Sequence, residues 1–189
     1  MKAVVIDYYD SFVYNIVHYL QGMDVIVDVV KDKDVVIDEL ITYDFIVLSP
    51  GPGLPHETFS MQSILSTYAS EKPILGICLG MQGIVSFYGG MLYNLDKVAH
   101  GVSIEMNILT EDVIYKDLPK INKVGIYNSW ACTIKSSSEL LILSESNSKL
   151  ILSVRHKKLP IYGLQFHPES ILTENGKKML CNFIQEVVF

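Results

Sequence analysis

Cys78 occupies a position that is typical of an exposed nucleophile. Cys78 follows the apolar stretch 73–77, which predicts a short buried strand, and precedes Gly80, which opens a predicted helix. A sharp strand-to-helix turn presents a nucleophile at a sheet edge. The helix start favours a thiolate, and its N–H groups, notably that of Leu79, suit an oxyanion. A cysteine in an apolar stretch is ordinarily a core residue, but Gly76 and Gly80 would leave such a core poorly packed, so we predict a nucleophile.

A histidine and a glutamate follow another predicted strand, 161–165. Pro168 biases His167 toward an extended backbone, in which residues two apart face the same way. Glu169 then lies beside the imidazole, where a carboxylate fixes the tautomer and supports the imidazolium. A lone histidine is usually structural, but together with Cys78 this one is predicted to be catalytic.

The segment Pro50-Gly51-Pro52-Gly53 follows a third predicted strand, 45–49. Its prolines stiffen the loop, and its glycines let the backbone approach a ligand closely. The phosphate-binding pattern G-x-x-x-x-G-K-[ST] does not occur in it. The loop is either an ordinary turn or, opposite Cys78, the second half of an oxyanion hole.

These segments need a sheet that brings them together. In the first half of the sequence, apolar stretches alternate with helical patterns and predict a parallel sheet with helices on both faces. The predicted strands are 3–7, 23–30, 45–49 and 73–77, and the predicted helices are 11–21, 58–70 and 80–88. Ligands bind beyond the carboxyl ends of such strands, where all three segments lie.

The second half of the sequence has a different pattern. Short strands over 104–109, 140–143, 150–154 and 161–165, separated by turn-rich stretches, predict a small antiparallel addition. A final amphipathic helix is predicted over 173–187, with Thr173 as its N-cap. We expect a single domain over 1–189.

Composition excludes several classes of protein. The net charge is −6 without a long basic cluster, which argues against nucleic-acid binding. No apolar run approaches the ~20 residues of a membrane span. The three cysteines, Cys78, Cys132 and Cys181, are widely spaced and suggest neither disulfides nor a zinc site. We expect a cytoplasmic protein in which Cys132 and Cys181 are structural.

Together, these segments resemble the class I (triad) glutamine amidotransferases, and above all the glutaminase subunits of anthranilate synthase and aminodeoxychorismate synthase. The resemblance implies a flavodoxin-like α/β fold and runs nearly end to end. The matching segments are 7–12 (D-Y-Y-D-S-F), 49–53 (S-P-G-P-G), 76–82 (G-I-C-L-G-M-Q), 155–156 (R-H) and 162–173 (Y-G-L-Q-F-H-P-E-S-I-L-T).

The resemblance implies a triad of Cys78, His167 and Glu169 that hydrolyses L-glutamine through a glutamyl thioester. The ammonia would pass to a chorismate-binding large subunit, which is expected to need Mg²⁺. No metal or other cofactor is expected in this chain. The remaining residues implied at the site contact glutamine or the oxyanion: Gly51, Pro52, Gly53, Leu79, Gln82, Ser129 and Trp130.

The sequence departs from the family pattern in two places. Val102 stands where the family usually has the lysine of H-G-K, and Ile126 and Asn128 stand where it has the arginine and histidine of R-Y-H-S. Two positive charges and a histidine are thus lost near the glutamine site and the expected partner face. We expect the chemistry at Cys78 to survive and the coupling to the partner to be affected.

Two other functions fit the same residues. The fold also hosts cysteine hydrolases of γ-glutamyl compounds, which would need no synthase partner. A regulatory subunit that binds glutamine without turnover is the non-enzymatic alternative, and the two departures are its only support. The intact cysteine, histidine and glutamate argue for an enzyme.

Overall fold

The computed structural model describes residues 1–188, except for the side chain of Lys97. Within these residues, nine strands form one sheet. The strands are β1 (Lys2–Asp7), β2 (Ile26–Lys31), β3 (Phe45–Leu48), β4 (Ile74–Ile77), β5 (Met91–Ile108), β6 (Ile121–Thr133), β7 (Leu140–Ser146), β8 (Ile151–His156) and β9 (Ile161–Leu164). The α-helices are α1 (Val13–Gln21), α2 (Met61–Tyr68), α3 (Leu79–Phe87) and α4 (Gly176–Phe183).

The sheet runs in the order β2-β1-β3-β4-β9-β8-β7-β5-β6. The strands from β2 to β9 are parallel, and those from β8 to β6 continue the same sheet as antiparallel strands. Strands β3 and β4 are buried at every position, as in a sheet covered on both faces. The predicted α/β fold with an antiparallel addition is therefore confirmed, although the addition is not small.

Helices cover both faces of the parallel half. On one face, Phe183 of α4 packs edge-to-face on Phe45, with ring centroids 5.9 Å apart. On the other face, Ile64 of α2 and Ile84 of α3 share a core with Leu48. Because successive strand residues point to opposite faces, Phe45 and Leu48 of one strand belong to different cores.

Two glycines let α3 approach the sheet closely. A Cβ on Gly80 would overlap the carbonyl oxygen of Leu48, and one on Gly76 would lie 2.5 Å from the carbonyl carbon of Gly80. Backbone therefore packs directly on backbone where β4 turns into α3. The glycines beside Cys78 thus set how closely the start of this helix rests on the strands.

The largest difference from the predicted fold is the hairpin of β5 and β6. Strand β6 falls in a stretch predicted to be turn-rich, and β5 begins well before the predicted 104–109 strand. Asn122 and Asn128 interrupt the apolar pattern of β6, yet both are buried and donate hydrogen bonds to carbonyl oxygens. Buried polar residues interrupt the apolar pattern by which a sequence predicts a strand, so this strand was not predicted.

The ends of the helices also differ from prediction. The final α-helix begins at Gly176 and continues as a π-helix over Ile184–Val188, so Thr173 is not its N-cap. The hydroxyl of Thr173 instead donates to the carbonyl of His167 at 2.6 Å. Between β2 and β3 the chain forms two short 3₁₀ helices, Asp32–Asp34 and Ile37–Thr42. Across residues 1–188, no helix combines the length and apolar character needed to cross a bilayer.

Candidate active site

Cys78 occupies the sharp turn between β4 and α3. Its backbone has φ 52° and ψ −103°, a conformation that costs a non-glycine residue on the order of 1–3 kcal/mol. The N–H of Cys78 donates to the carbonyl of Leu164 at 2.7 Å, and its carbonyl accepts from the N–H of Gln82 at 3.0 Å. Hydrogen bonds to β9 and to the first turn of α3 therefore hold the cysteine in this strained position.

Cys78 borders a cavity of about 180 Å³. The Pro-Gly loop forms one wall of the cavity and β6 forms another. The lining residues are Gly51, Pro52, Gly53, Cys78, Gln82, Tyr127, Asn128, Ser129 and Trp130. All but Tyr127 and Asn128 were predicted from the sequence as site residues, whereas the predicted site residues Leu79, His167 and Glu169 do not line the cavity.

Hydrogen bonds and a backbone requirement for glycine fix the shape of the Pro-Gly loop. The hydroxyl of Ser49 accepts from the N–H of Tyr8 at 3.0 Å and donates to the carbonyl of Pro50 at 2.8 Å. Gly53 has φ 76°, in the left-handed region that favours glycine, and a Cβ added to it would lie 2.5 Å from a carboxylate oxygen of Glu57. Hydrogen bonds thus hold the start of the loop, and position 53 needs glycine.

Leu79 contributes a backbone group rather than its side chain. It is the first residue of α3, so no carbonyl of that helix accepts its N–H. Its side chain is 1% exposed and lies under the loop, because a Cβ added to Gly51 would contact it at 2.7 Å. A free N–H beside the nucleophile is the kind of group that an oxyanion hole requires.

His167 and Glu169 form a buried pair. Nδ1 of the imidazole lies 2.7 Å from Oε1 of Glu169, and the residues are 1% and 4% exposed. Burial opposes the charged imidazole, but the nearby Cys78 and the hydrogen-bonded carboxylate of Glu169 outweigh it and raise the pKa of His167 to about 10. Nε2 of His167 has no hydrogen-bond partner among the described residues. The carboxylate therefore fixes the tautomer and leaves Nε2 free for proton transfer.

Contacts that the sequence analysis missed hold His167 in place. Its backbone N–H donates to the carbonyl of Gly125 in β6 at 3.1 Å, and its carbonyl accepts from Thr173. The rings of Phe12 and Tyr127 pack against the imidazole, with centroid distances of 5.1 and 4.9 Å. Phe12 lies within the predicted helix 11–21, and only its place in the D-Y-Y-D-S-F segment set it apart.

A chain of amide groups borders the cavity. Asn128 donates from Nδ2 to the carbonyl of Trp130 at 2.6 Å, and Gln82 donates from Nε2 to the same carbonyl at 3.3 Å. Gln82 also donates to Oε1 of Gln165 at 3.3 Å, and Nε2 of Gln165 donates to Sγ of Cys78 at 3.6 Å. Gln165 was not among the predicted site residues, although it belongs to the matching segment 162–173.

The departures from the family pattern differ in their surroundings. Ile126 is 1% exposed within β6, and its register partner Val102 is 41% exposed at the surface of β5. Asn128 keeps a polar role, because its side-chain N–H donates to the carbonyl of Trp130.

Cys132 is buried, and burial together with the nearby Cys78 raises its pKa to about 12, so it stays a thiol at neutral pH.

We expect Glu169→Gln to lower kcat for glutamine hydrolysis about 10²-fold, with a small change in KM. The amide keeps the size of the side chain but loses the charge that raises the pKa of His167. Ammonia-release kinetics and NMR titration of the imidazole measure both effects, and the pKa of His167 should fall. The exposed Glu174→Gln is the matched control. An unchanged kcat and an unchanged imidazole pKa would contradict the role of the carboxylate.

Comparison with known proteins identifies relatives over almost the whole chain. The sequence model of the family "Glutamine amidotransferase class-I" matches residues 4–187. Anthranilate synthase component 2 of Methanocaldococcus jannaschii is 40% identical over 97% of this chain and 96% of its own length. Aminodeoxychorismate/anthranilate synthase component 2 of Bacillus subtilis is 34% identical over 96% of this chain and 95% of its own.

A solved structure has the same fold. It is a Thermoplasma acidophilum protein described as a candidate GMP synthase subunit, with a TM-score of 0.88 and 25% identity. The match covers 97% of this chain and 92% of that one. The shared architecture therefore extends from the parallel half into the antiparallel strands.

Proposed function

This chain belongs to the class-I glutamine amidotransferases, and on that premise we propose that it is the glutaminase subunit of a chorismate-aminating synthase. It hydrolyses glutamine at Cys78 and supplies the ammonia to a large subunit that binds chorismate. The product of the complex is anthranilate or 4-amino-4-deoxychorismate. One observation carries the proposal: Cys78 sits on a strained turn at a cavity, close enough to raise the pKa of the buried His167.

The proposed mechanism uses these groups in order. The thiolate of Cys78 attacks the side-chain amide carbon of glutamine, and the N–H groups of Gly53 and Leu79 stabilise the oxyanion. The imidazolium of His167 protonates the departing nitrogen, so ammonia leaves and a glutamyl thioester remains. Neutral His167 then takes a proton from water, which attacks the thioester and releases glutamate. Glu169 stabilises the imidazolium in both steps.

The names of the relatives support chorismate as the acceptor. Two relatives at 34% and 40% identity over nearly their full lengths are component 2 of anthranilate or aminodeoxychorismate synthase. The structural relative described as a GMP synthase subunit is only 25% identical. The closing segment 166–173 (F-H-P-E-S-I-L-T) also favours the subunits of chorismate-using synthases.

We propose that Mg²⁺ acts only on the large subunit, and that the reaction takes place in the cytoplasm, where thiols stay reduced.

Mixing this chain with chorismate-binding large subunits tests the function. With amide-¹⁵N glutamine, chorismate and Mg²⁺, the label should enter anthranilate or 4-amino-4-deoxychorismate, and each product identifies its own partner. The large subunit should also raise the rate of glutamate release. Label that appears in GMP with an XMP-binding synthetase, and in neither chorismate product, would overturn the choice of acceptor.

We expect Ile171→Asp to weaken association with the large subunit at least tenfold. Ile171 is 97% exposed and lies two residues beyond Glu169, at the end of the sheet that carries the catalytic groups. An apolar side chain so exposed beside a catalytic pair suits burial by a partner. Sedimentation velocity of the mixed subunits measures the effect. Ile26→Asp, 63% exposed at the amino end of β2, is the control, and equal affinity of both variants would contradict this interface.

Two other functions make different predictions. A hydrolase of γ-glutamyl compounds would cleave γ-glutamyl peptides faster than glutamine and would not respond to a large subunit. A regulatory subunit would bind glutamine without releasing glutamate, even in the complex. The buried His167–Glu169 pair supports turnover, because it supplies the proton transfers that the reaction needs.

A further inference from the structure

We propose that Gln165 is a further catalytic residue, whose side-chain amide donates a hydrogen bond to the sulfur of Cys78 and holds the thiolate ready for attack. The proposal deepens the glutaminase function and rests on it. Gln165 immediately follows β9 and is 2% exposed. Its backbone N–H donates to the carbonyl of Leu152 at 2.9 Å, so the neighbouring strand β8 fixes its position.

The side-chain amide of Gln165 uses both of its ends. Nε2 lies 3.6 Å from Sγ of Cys78, and Oε1 accepts from Nε2 of Gln82 at 3.3 Å. The first contact reaches the reacting atom, and the second reaches a residue of the cavity wall. Gln165 therefore connects the nucleophile to the proposed glutamine-binding surface.

The neighbouring groups determine which end of each amide faces which partner. The carbonyl of Trp130 only accepts hydrogen bonds, so Gln82 must turn its nitrogen toward it. That same nitrogen faces Gln165, which must therefore present its oxygen to Gln82. The nitrogen of Gln165 is then left to face the sulfur.

A donor at this position acts on the free thiolate. An N–H group stabilises a charged sulfur more than a neutral thiol, so it favours the form that attacks glutamine. The other titratable groups in this part of the site are His167 and Glu169, which follow β9 as Gln165 does, and Cys132 on β6. Cys132 is a buried thiol, and the nearest charged pair, His167–Glu169, is already internally bonded. Gln165 adds a neutral donor that does not exchange its proton during turnover.

The test follows alkylation of Cys78 by iodoacetamide from about pH 6 to about pH 11, with peptide mass spectrometry to separate the cysteines. Gln165→Met removes the donor at similar length. Gln165→Glu keeps an acceptor for Gln82 but places a carboxylate oxygen at the sulfur. We expect the midpoint of alkylation to rise by about one pH unit or more in both variants. We also expect kcat/KM for glutamine to fall about 10- to 100-fold.

Ser153→Ala is the matched control, because Ser153 is a buried polar residue of β8 whose bonds to Tyr115 and Ser144 do not include Cys78. Its alkylation midpoint should equal that of the wild type. If a buried glutamate unfolds the chain, Gln165→Met alone decides the question. A midpoint within about 0.3 pH units of the wild type in every folded Gln165 variant would overturn the proposal. Alkylation needs no glutamine, so a wild type that never releases ammonia would refute the proposed function separately.

Discussion

Replacing Cys78 by alanine is expected to lower glutamine hydrolysis at least about 10⁴-fold. The reaction passes through a bond to Sγ, and no other thiol of the described residues lines the cavity. Alanine adopts the same strained backbone as cysteine at φ 52°, so the turn and the wall of the cavity should stay in place. Ammonia release, and trapping of the glutamyl thioester by acid quench with radiolabelled glutamine, measure the loss.

The control for this variant is Cys181→Ala. Cys181 lies on α4 and is partly exposed, so it should react with thiol reagents but should not affect turnover. In the Cys78→Ala protein we also expect the pKa of His167 to fall from about 10, because Cys78 is one of the groups that raise it. Normal thioester formation in Cys78→Ala would assign the nucleophile to another residue.

His167→Asn is expected to lower kcat about 10³- to 10⁴-fold. Asparagine is able to fill part of the buried site, but it cannot protonate the leaving nitrogen or accept a proton from water. Loss of the imidazolium also removes a positive charge beside Cys78, so iodoacetamide should alkylate the thiol at a higher pH than in the wild type. Stopped-time ammonia assays and the alkylation profile measure the two effects independently.

His100→Asn is the comparison for this variant. His100 packs edge-to-face on Tyr127, with centroids 5.4 Å apart, but it is exposed and does not line the cavity. It should keep kcat within about threefold of the wild type, as expected of a surface position. If the two histidine variants lose activity equally, proton transfer cannot be assigned to His167.

The parts of the fold that the sequence predicted depend on neighbours along the chain. The apolar run 73–77, followed by Cys78 and Gly80, predicted strand β4, the turn at Cys78 and the start of α3. His167 and Glu169 pair as predicted, but not through the predicted extended backbone: residues 167–170 form a turn in which the N–H of Ser170 donates to the carbonyl of His167 at 3.1 Å. In each case the interacting residues are adjacent or two apart, so local rules are sufficient.

The parts that the sequence did not predict depend on partners far along the chain. Strand β6 resembled a turn-rich stretch because polar residues interrupt it. The side-chain oxygen of one of them, Asn122, accepts from Nδ2 of Asn175, 53 residues further along the chain, at 2.8 Å. Thr173 fitted the pattern of a helix cap, but its hydroxyl bonds to His167 and to the N–H of Gly125 in β6. The role of Gln165 requires β4 and β9 to be neighbours, and sequence separation hides that pairing.

That pairing has a consequence for control of the enzyme. Cys78 and His167 follow β4 and β9, adjacent parallel strands in register from Ile74 and Ile161 to Ile77 and Leu164. Strand spacing is set by backbone hydrogen bonds and is nearly constant, at about 4.8 Å. The nucleophile and its base therefore follow two neighbouring strands whose spacing is nearly constant. We expect the proposed large subunit to act through the Pro-Gly loop, and so to tune substrate capture and oxyanion support, because β6 itself holds His167 through Gly125 and Tyr127.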